Sequence, residues 1–127
     1  MNSTEKQKTG QIGEDLACEY LIKNRYKIME RNFKRPWGEI DIIVKDPNKT
    51  LVFVEVKAIR QYGINSQLTP EDQMTAAKLR KVAKTASLYA GANPNLINQN
   101  MGWRIDLVAI TLTEGAPQIS HYKNITK

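Results

Sequence analysis

The spacing of apolar residues changes twice along this chain, and each change marks a different kind of element. Ile12, Leu16, Ala17, Tyr20 and Leu21 recur at helical spacing, so a first helix runs to about Asn24. Thr4 with Gln7 has the pattern of a capping box; Thr9 is the rival start, because Gly10 and Gly13 weaken the early turns. From Tyr26 the period falls to two. Tyr26–Asn32, Gly38–Val44 and Leu51–Lys57 read as strands rich in β-branched residues. Phe33–Gly38 reads as a basic, aromatic loop and Asp46–Lys49 as a turn. Ile59–Thr69 has no periodicity and reads as a mobile loop. A second helix is expected from Pro70, with Glu71 and Asp72 at the positive end of its dipole. Its stripe is Leu79, Val82, Ala83, Ala86 and Ala90, and Gly91 is its stop. Asn93–Gly102 reads as loop, Trp103–Leu112 as a strongly apolar strand, and Gln118–Asn124 as a last strand. The order αβββαββ predicts an α/β fold, one mixed sheet with helices packed on it.

The second and third strands break the usual rule for a half-buried sheet. Side chains alternate faces, so Glu39 shares a face with Asp41, and Glu55 with Lys57. If Lys45 lies opposite Leu51, Asp41 lies opposite Glu55, and like charges so placed destabilise a sheet unless a cation sits between them. A register shifted by two would instead set Asp41 opposite Lys57, an ordinary salt bridge worth under about 1 kcal/mol. Ile43, Leu51 and Phe53 lie on the same faces as the charges, so those faces are partly buried. Unpaired carboxylates there cost several kcal/mol each. Glu14 adds a third on the sheet-facing side of the first helix. Hard oxygen ligands suit Mg²⁺ or Mn²⁺, and Lys57 supplies a fixed positive charge beside them. This is the equipment of metal-assisted phosphodiester hydrolysis.

Composition narrows the partner. The 127 residues carry a formal net charge of +6 and a pI near 9.5, which favours a polyanion, nucleic acid before membrane. No apolar run approaches the roughly 18 residues of a membrane span. Met1–Gly10 lacks the apolar stretch of a secretory signal, and the lone Cys18 fits a reducing compartment. The expectation is a cytoplasmic protein forming one domain over residues 1–127. Lys34, Arg35 and Trp37, with Phe33 and Pro36, would grip a DNA backbone and stack on a base, or else Trp37 caps the core beside solvated charges. Lys78, Lys81 and Lys84 form a stripe that would track phosphates or simply be a solvated face. Arg104 could reach DNA. His121, Asp106 and Trp103 read as structural, and Cys18 as a small core residue.

Asp41 followed on the next strand by Glu55-Val56-Lys57 resembles the PD-(D/E)XK motif of restriction-endonuclease-like nucleases, and the helix-strand-strand-strand-helix-strand order resembles that superfamily's core. Gly10-X-X-X-Glu14 resembles the amino-terminal glutamate motif of archaeal Holliday junction resolvases. Over nearly its whole length the chain resembles the bacterial YraN family, through Gly10–Leu21, Arg31-Asn32, Gly38–Ile43, Phe53–Lys57, Thr75 with Lys78, and Arg104–Asp106. The resemblance implies Asp41 and Glu55 as metal ligands, Lys57 as catalytic lysine, Glu14 as an additional acidic ligand, and Lys78 as a helical assistant. Ile40 stands where the motif has proline, and Arg60 follows the lysine one place later than usual. The function implied is a Mg²⁺- or Mn²⁺-dependent DNA endonuclease, with branched or structured DNA as its substrate; a two-fold branched substrate would suit a homodimer. The alternatives are a non-catalytic nucleic-acid-binding module on the same fold, and a purely structural interaction protein.

Overall fold

The computed structural model describes residues 4–61 and 69–126. Its elements follow the expected αβββαββ order: α1 (Glu5–Lys23), β1 (Lys27–Arg35), β2 (Gly38–Lys45), β3 (Leu51–Arg60), α2 (Ala76–Ala92), β4 (Trp103–Leu112) and β5 (Gln118–Tyr122). The strands form one sheet in the order β1-β2-β3-β4-β5. Only β3 and β4 run parallel; the other neighbours are antiparallel. A parallel pair needs a long crossover, and the segment containing α2 provides it. The mixed sheet flanked by helices is consistent with a restriction-endonuclease-like fold.

Each face of the sheet buries its own core. On one face, Ala17, Cys18 and Leu21 of α1 pack with Ile42, Val44, Val52, Val54, Val108 and Ile110. On the other, Val82, Ala86 and Ala90 of α2 pack with Phe33, Ile40, Ile43, Leu51, Phe53 and Ile105. A strand covered on both faces needs a continuous apolar run, and Leu51–Val54 is one, with every residue at 0% exposure. Glycines set two close approaches. A Cβ on Gly13 of α1 would strike the Ala58 Cβ of β3, and one on Gly38 would strike the Thr85 Oγ1 of α2.

Element boundaries moved where tertiary contact outweighed local signals. Thr4 caps α1, and both halves of its capping box with Gln7 are present. Phe33–Arg35, expected as loop, continues β1, because Phe33 buries its ring against α2; the loop shrinks to Pro36-Trp37 between the paired Arg35 and Gly38. Ile59 and Arg60 extend β3 alongside Thr111 and Leu112. The rest of the expected loop, 62–68, lies outside the described residues. Pro70–Gln73 is a separate 3-10 turn. Met74 then turns extended, and α2 starts at Ala76 because the Thr75 hydroxyl caps the Lys78 N–H. The stripe from Leu79 to Ala90 packs as expected, but Gly91 sits inside the last turn and Asn93 is the cap.

Candidate active site

The hairpin of β2 and β3 fixes the position of the acidic groups. Lys45 pairs with Leu51 and Ile42 with Val54, so the register is the one that sets Asp41 beside Glu55 rather than beside Lys57. Regular pairing stops at this point. Ile42 and Val44 face α1, Ile43 faces α2, yet Ile40 also faces α2, so the alternation of β2 changes phase at Asp41. Side chains take over the lost ladder: the Val56 N–H donates to Asp41 Oδ2 at 2.8 Å, and the Asp41 N–H points at Glu55 Oε1 at 3.4 Å.

Both carboxyls sit in surroundings that disfavour their charge. Glu55 is 7% exposed. Burial first, and the Asp41 carboxylate second, push its pKa up to about 8 against the moderating charge of Lys57. The Asp41 carboxyl is raised too, by burial above all, although the Val56 N–H and Lys57 favour its ionised form. Neighbouring carboxyls raised by burial and by nearby acids, here Asp41 acting on Glu55 and Glu14 with Glu39 on Asp41, are a signature of functional sites. Lys57 makes no hydrogen bond or ion pair with the other described residues, so its ammonium is available.

A cleft of about 280 Å³ opens over Glu55 and Lys57, with Asp41 behind Glu55 and outside the lining. Its lining joins the strands to α2: Trp37, Gly38, Glu39, Glu55, Lys57, Lys78, Lys81 and Val82. Five residues singled out from sequence, Trp37, Glu55, Lys57, Lys78 and Lys81, therefore meet in one place. Lys78 is steadied by its Nζ on the Gln73 carbonyl at 3.0 Å. Lys34 and Arg35 lie at the end of β1, in the β1–β2 hairpin that carries Trp37, but outside the cleft lining. The Arg35 guanidinium stacks 4.2 Å above the Phe33 ring and binds the Lys34 carbonyl. Arg60 lies against α1, with its Nε on Thr9 Oγ1 at 2.6 Å and an ion pair to Glu5.

Glu14 is held differently from the other acids. The Arg31 guanidinium bonds Glu14 Oε1 through Nε at 3.2 Å and Nη2 at 3.1 Å, and also reaches Asp15. Its charge still raises the Asp41 pKa. Among the described residues no three acidic, histidine or cysteine side chains converge as a metal-holding set. Glu39 is the residue that sequence reasoning left aside. It lines the cleft and raises the pKa of both Asp41 and Glu55. Its shared face with Asp41 was the available signal.

Arg104 does not reach outward toward DNA. It is enclosed in a polar network, paired to Asp46 at 2.7 Å and to Asp106 at 2.9 Å, with the Tyr26 hydroxyl at 3.2 Å. His121 completes it, its Nε2 2.8 Å from Asp106 and its Nδ1 3.0 Å from the Tyr20 hydroxyl. Asp106 thereby loses its solvent but gains Arg104, His121 and the Asn124 N–H, and its pKa falls despite burial.

A divalent cation fits the Asp41–Glu55 pair on the chemistry of the donors. Both are hard oxygen ligands, Glu55 is buried and Asp41 half-buried, and the Asp41 carboxylate raises the Glu55 pKa, so a hard cation would relieve the electrostatic conflict. Asp41 and Glu55 would hold it.

A model of the uncharacterised protein family UPF0102 matches residues 13–110. The chain is 41% identical over 116 residues to a UPF0102 protein of Geobacter sulfurreducens, covering 91% of this chain and 85% of that one. It is 40% identical over 117 residues to one from Geobacter metallireducens (91% and 88%). With one from Syntrophomonas wolfei it shares 39% identity over 116 residues (91% and 94%).

Proposed function

The chain belongs to the UPF0102 family, and we propose that it is a metal-dependent DNA endonuclease of the PD-(D/E)XK type. The observation that carries this reading is the buried Glu55, linked to Asp41 and opening beside Lys57 into a cleft walled by Lys78 and Lys81. Bound at the two carboxylates, Mg²⁺ or Mn²⁺ would lower the pKa of a ligated water and offset charge on the phosphoryl group. The protein's own groups have separable tasks. The Val56 N–H fixes the orientation of Asp41. Lys57 sets a positive charge where negative charge develops on the phosphate oxygens. Lys78 and Lys81 face the flanking phosphates and hold the backbone in register. Glu14, clamped by Arg31, acts on Asp41 through its field.

The test is cleavage of linear, flapped and branched DNA with Mn²⁺ or Mg²⁺ by native protein, Glu55→Gln and Lys57→Ala. Each variant should lose about a hundredfold or more in rate with an unchanged circular dichroism spectrum. Equal cleavage by native protein and both variants overturns the assignment. The Arg31 clamp on Glu14 favours the rival reading, a binding module without catalysis. That module would bind DNA in a salt-dependent way, cleave none of the substrates, and show no calorimetric Mn²⁺ binding that Glu55→Gln abolishes.

A further inference from the structure

We propose that the cleft receives one unpaired nucleotide whose base stacks on Trp37, so that the substrate is single-stranded DNA or a single-stranded arm beside a duplex. This rests on the nucleic-acid part of the reading above and adds to it the form of the strand. The first observation is where Trp37 sits. It occupies the tip of a two-residue hairpin turn, between Arg35 and Gly38. Pro36 restricts the backbone on one side, and the close approach of Gly38 to Thr85 pins the other side to α2. The indole is thus 50% exposed on a stiff support, and it faces the same cleft as Glu55 and Lys57. The neighbouring aromatic, Phe33, is buried and already covered by Arg35.

The second observation is size. A cleft of about 280 Å³ lies just below the roughly 300 Å³ at which small-ligand pockets begin, the scale of one nucleotide rather than of a base pair. A duplex presents phosphates and base edges, and the face of a base becomes available to an aromatic ring only when the nucleotide leaves the stack. An indole on the wall beside the carboxylates therefore has a partner in an unpaired strand and none in an intact duplex. Lys78 and Lys81 of α2 supply the charge for the neighbouring phosphates, so the same cleft carries groups for base and for backbone.

The experiment uses the full chain without divalent metal, so that nothing is cleaved, and oligo-dT against a blunt duplex of equal length. Stacking should quench the fluorescence of Trp37. The other indole, Trp103, packs edge-on against Phe53, so the difference between native protein and Trp37→Phe isolates Trp37. The expected results are quenching by oligo-dT and little by duplex. Affinity for oligo-dT should fall about five- to 140-fold in Trp37→Ala, the range of one base–aromatic stack, and be largely kept in Trp37→Phe, with duplex affinity unchanged. Equal quenching by both DNAs, undiminished oligo-dT affinity in Trp37→Ala, or a change of oligomeric mass in that variant overturns the proposal. Its failure is distinct from failure of the nuclease reading. Quenching without metal-dependent cleavage leaves Trp37 in place and removes the enzyme; cleavage with no effect of Trp37 does the reverse.

Discussion

At neutral pH and without a cation Glu55 keeps its proton, because burial and Asp41 have moved its pKa from 4.5 to about 8. Two consequences share this cause. Metal ligands must ionise before binding, so Mn²⁺ affinity should rise as pH climbs toward 8, and each binding event should release about one proton. Calorimetry in buffers of different ionisation enthalpy measures both. The sign for stability is opposite to that of an ordinary salt-bridged acid. A raised pKa contributes stability below 4.5, and that contribution is lost as pH rises through 8. Glu55→Gln should accordingly exceed native protein in urea resistance at pH 9, by on the order of a few kcal/mol, with the gap closing toward pH 4. The Asp41–Glu55 encounter was legible in the sequence because a short turn and a period of two leave few registers. The Arg31 clamp on Glu14 was not, since nothing in either residue's neighbours specifies a partner 17 positions away. Glu39 was visible on the right face but could not be ranked without the cleft.

Helices and strands were recognisable from their periodicity, and their ends were set by contacts that periodicity does not encode. Pro70 has the credentials of a helix start, yet the capping hydroxyl of Thr75 starts α2 six residues later. The same cap orders the turn that carries Lys78. Phe33 reads locally as loop, next to Pro36 and two basic residues, and becomes strand because its ring has a place under α2. Gly13 shows the reverse, a local weakness with a tertiary purpose: without a side chain there, α1 lies directly on Val56 and Ala58 of β3. Gly13→Val should push helix and strand apart, costing about 1–3 kcal/mol in urea unfolding. Because Val56 also donates to Asp41, the variant should weaken Mn²⁺ binding as well, a second readout that simple overpacking elsewhere in the core would leave unchanged.

Across the whole molecule, the positive charge divides into two kinds. Lys57, Lys78 and Lys81 face one cleft, while Arg104 serves the structure. Its network joins the end of α1 through Tyr20, the β2–β3 turn through Asp46, the start of β4 through Asp106, and β5 through His121. Removing one partner of a buried ion pair leaves the other uncompensated and costs about 3–5 kcal/mol. Asp106→Asn should be destabilised on that scale in urea, with DNA affinity unaltered when measured below its unfolding midpoint. The pKa of Asp106 is depressed, so its contribution is full above the unfolded carboxylate range near 3.8 and disappears as pH falls through the lower native value. The structural roles of Asp106 and His121 were legible beforehand, but their partners were not: His121 lies 101 residues from Tyr20, and composition gave no hint of their meeting. The αβββαββ order, by contrast, was readable throughout, because five strands and two helices each carry their own pattern. Among the described residues no helix is long and apolar enough to cross a membrane.

The bond from the Val56 N–H to Asp41 turns a backbone amide into a sensor of the site. An amide proton whose nitrogen lies 2.8 Å from a carboxylate oxygen shifts downfield with the charge it faces, and that charge changes when Asp41 is protonated or shared with a cation. The nitrogen-15 cross-peak of Val56 thus records occupancy of the Asp41 carboxylate from within the chain, with no substrate or turnover required. It distinguishes a cation seated between the strands from one bound at a surface carboxylate elsewhere.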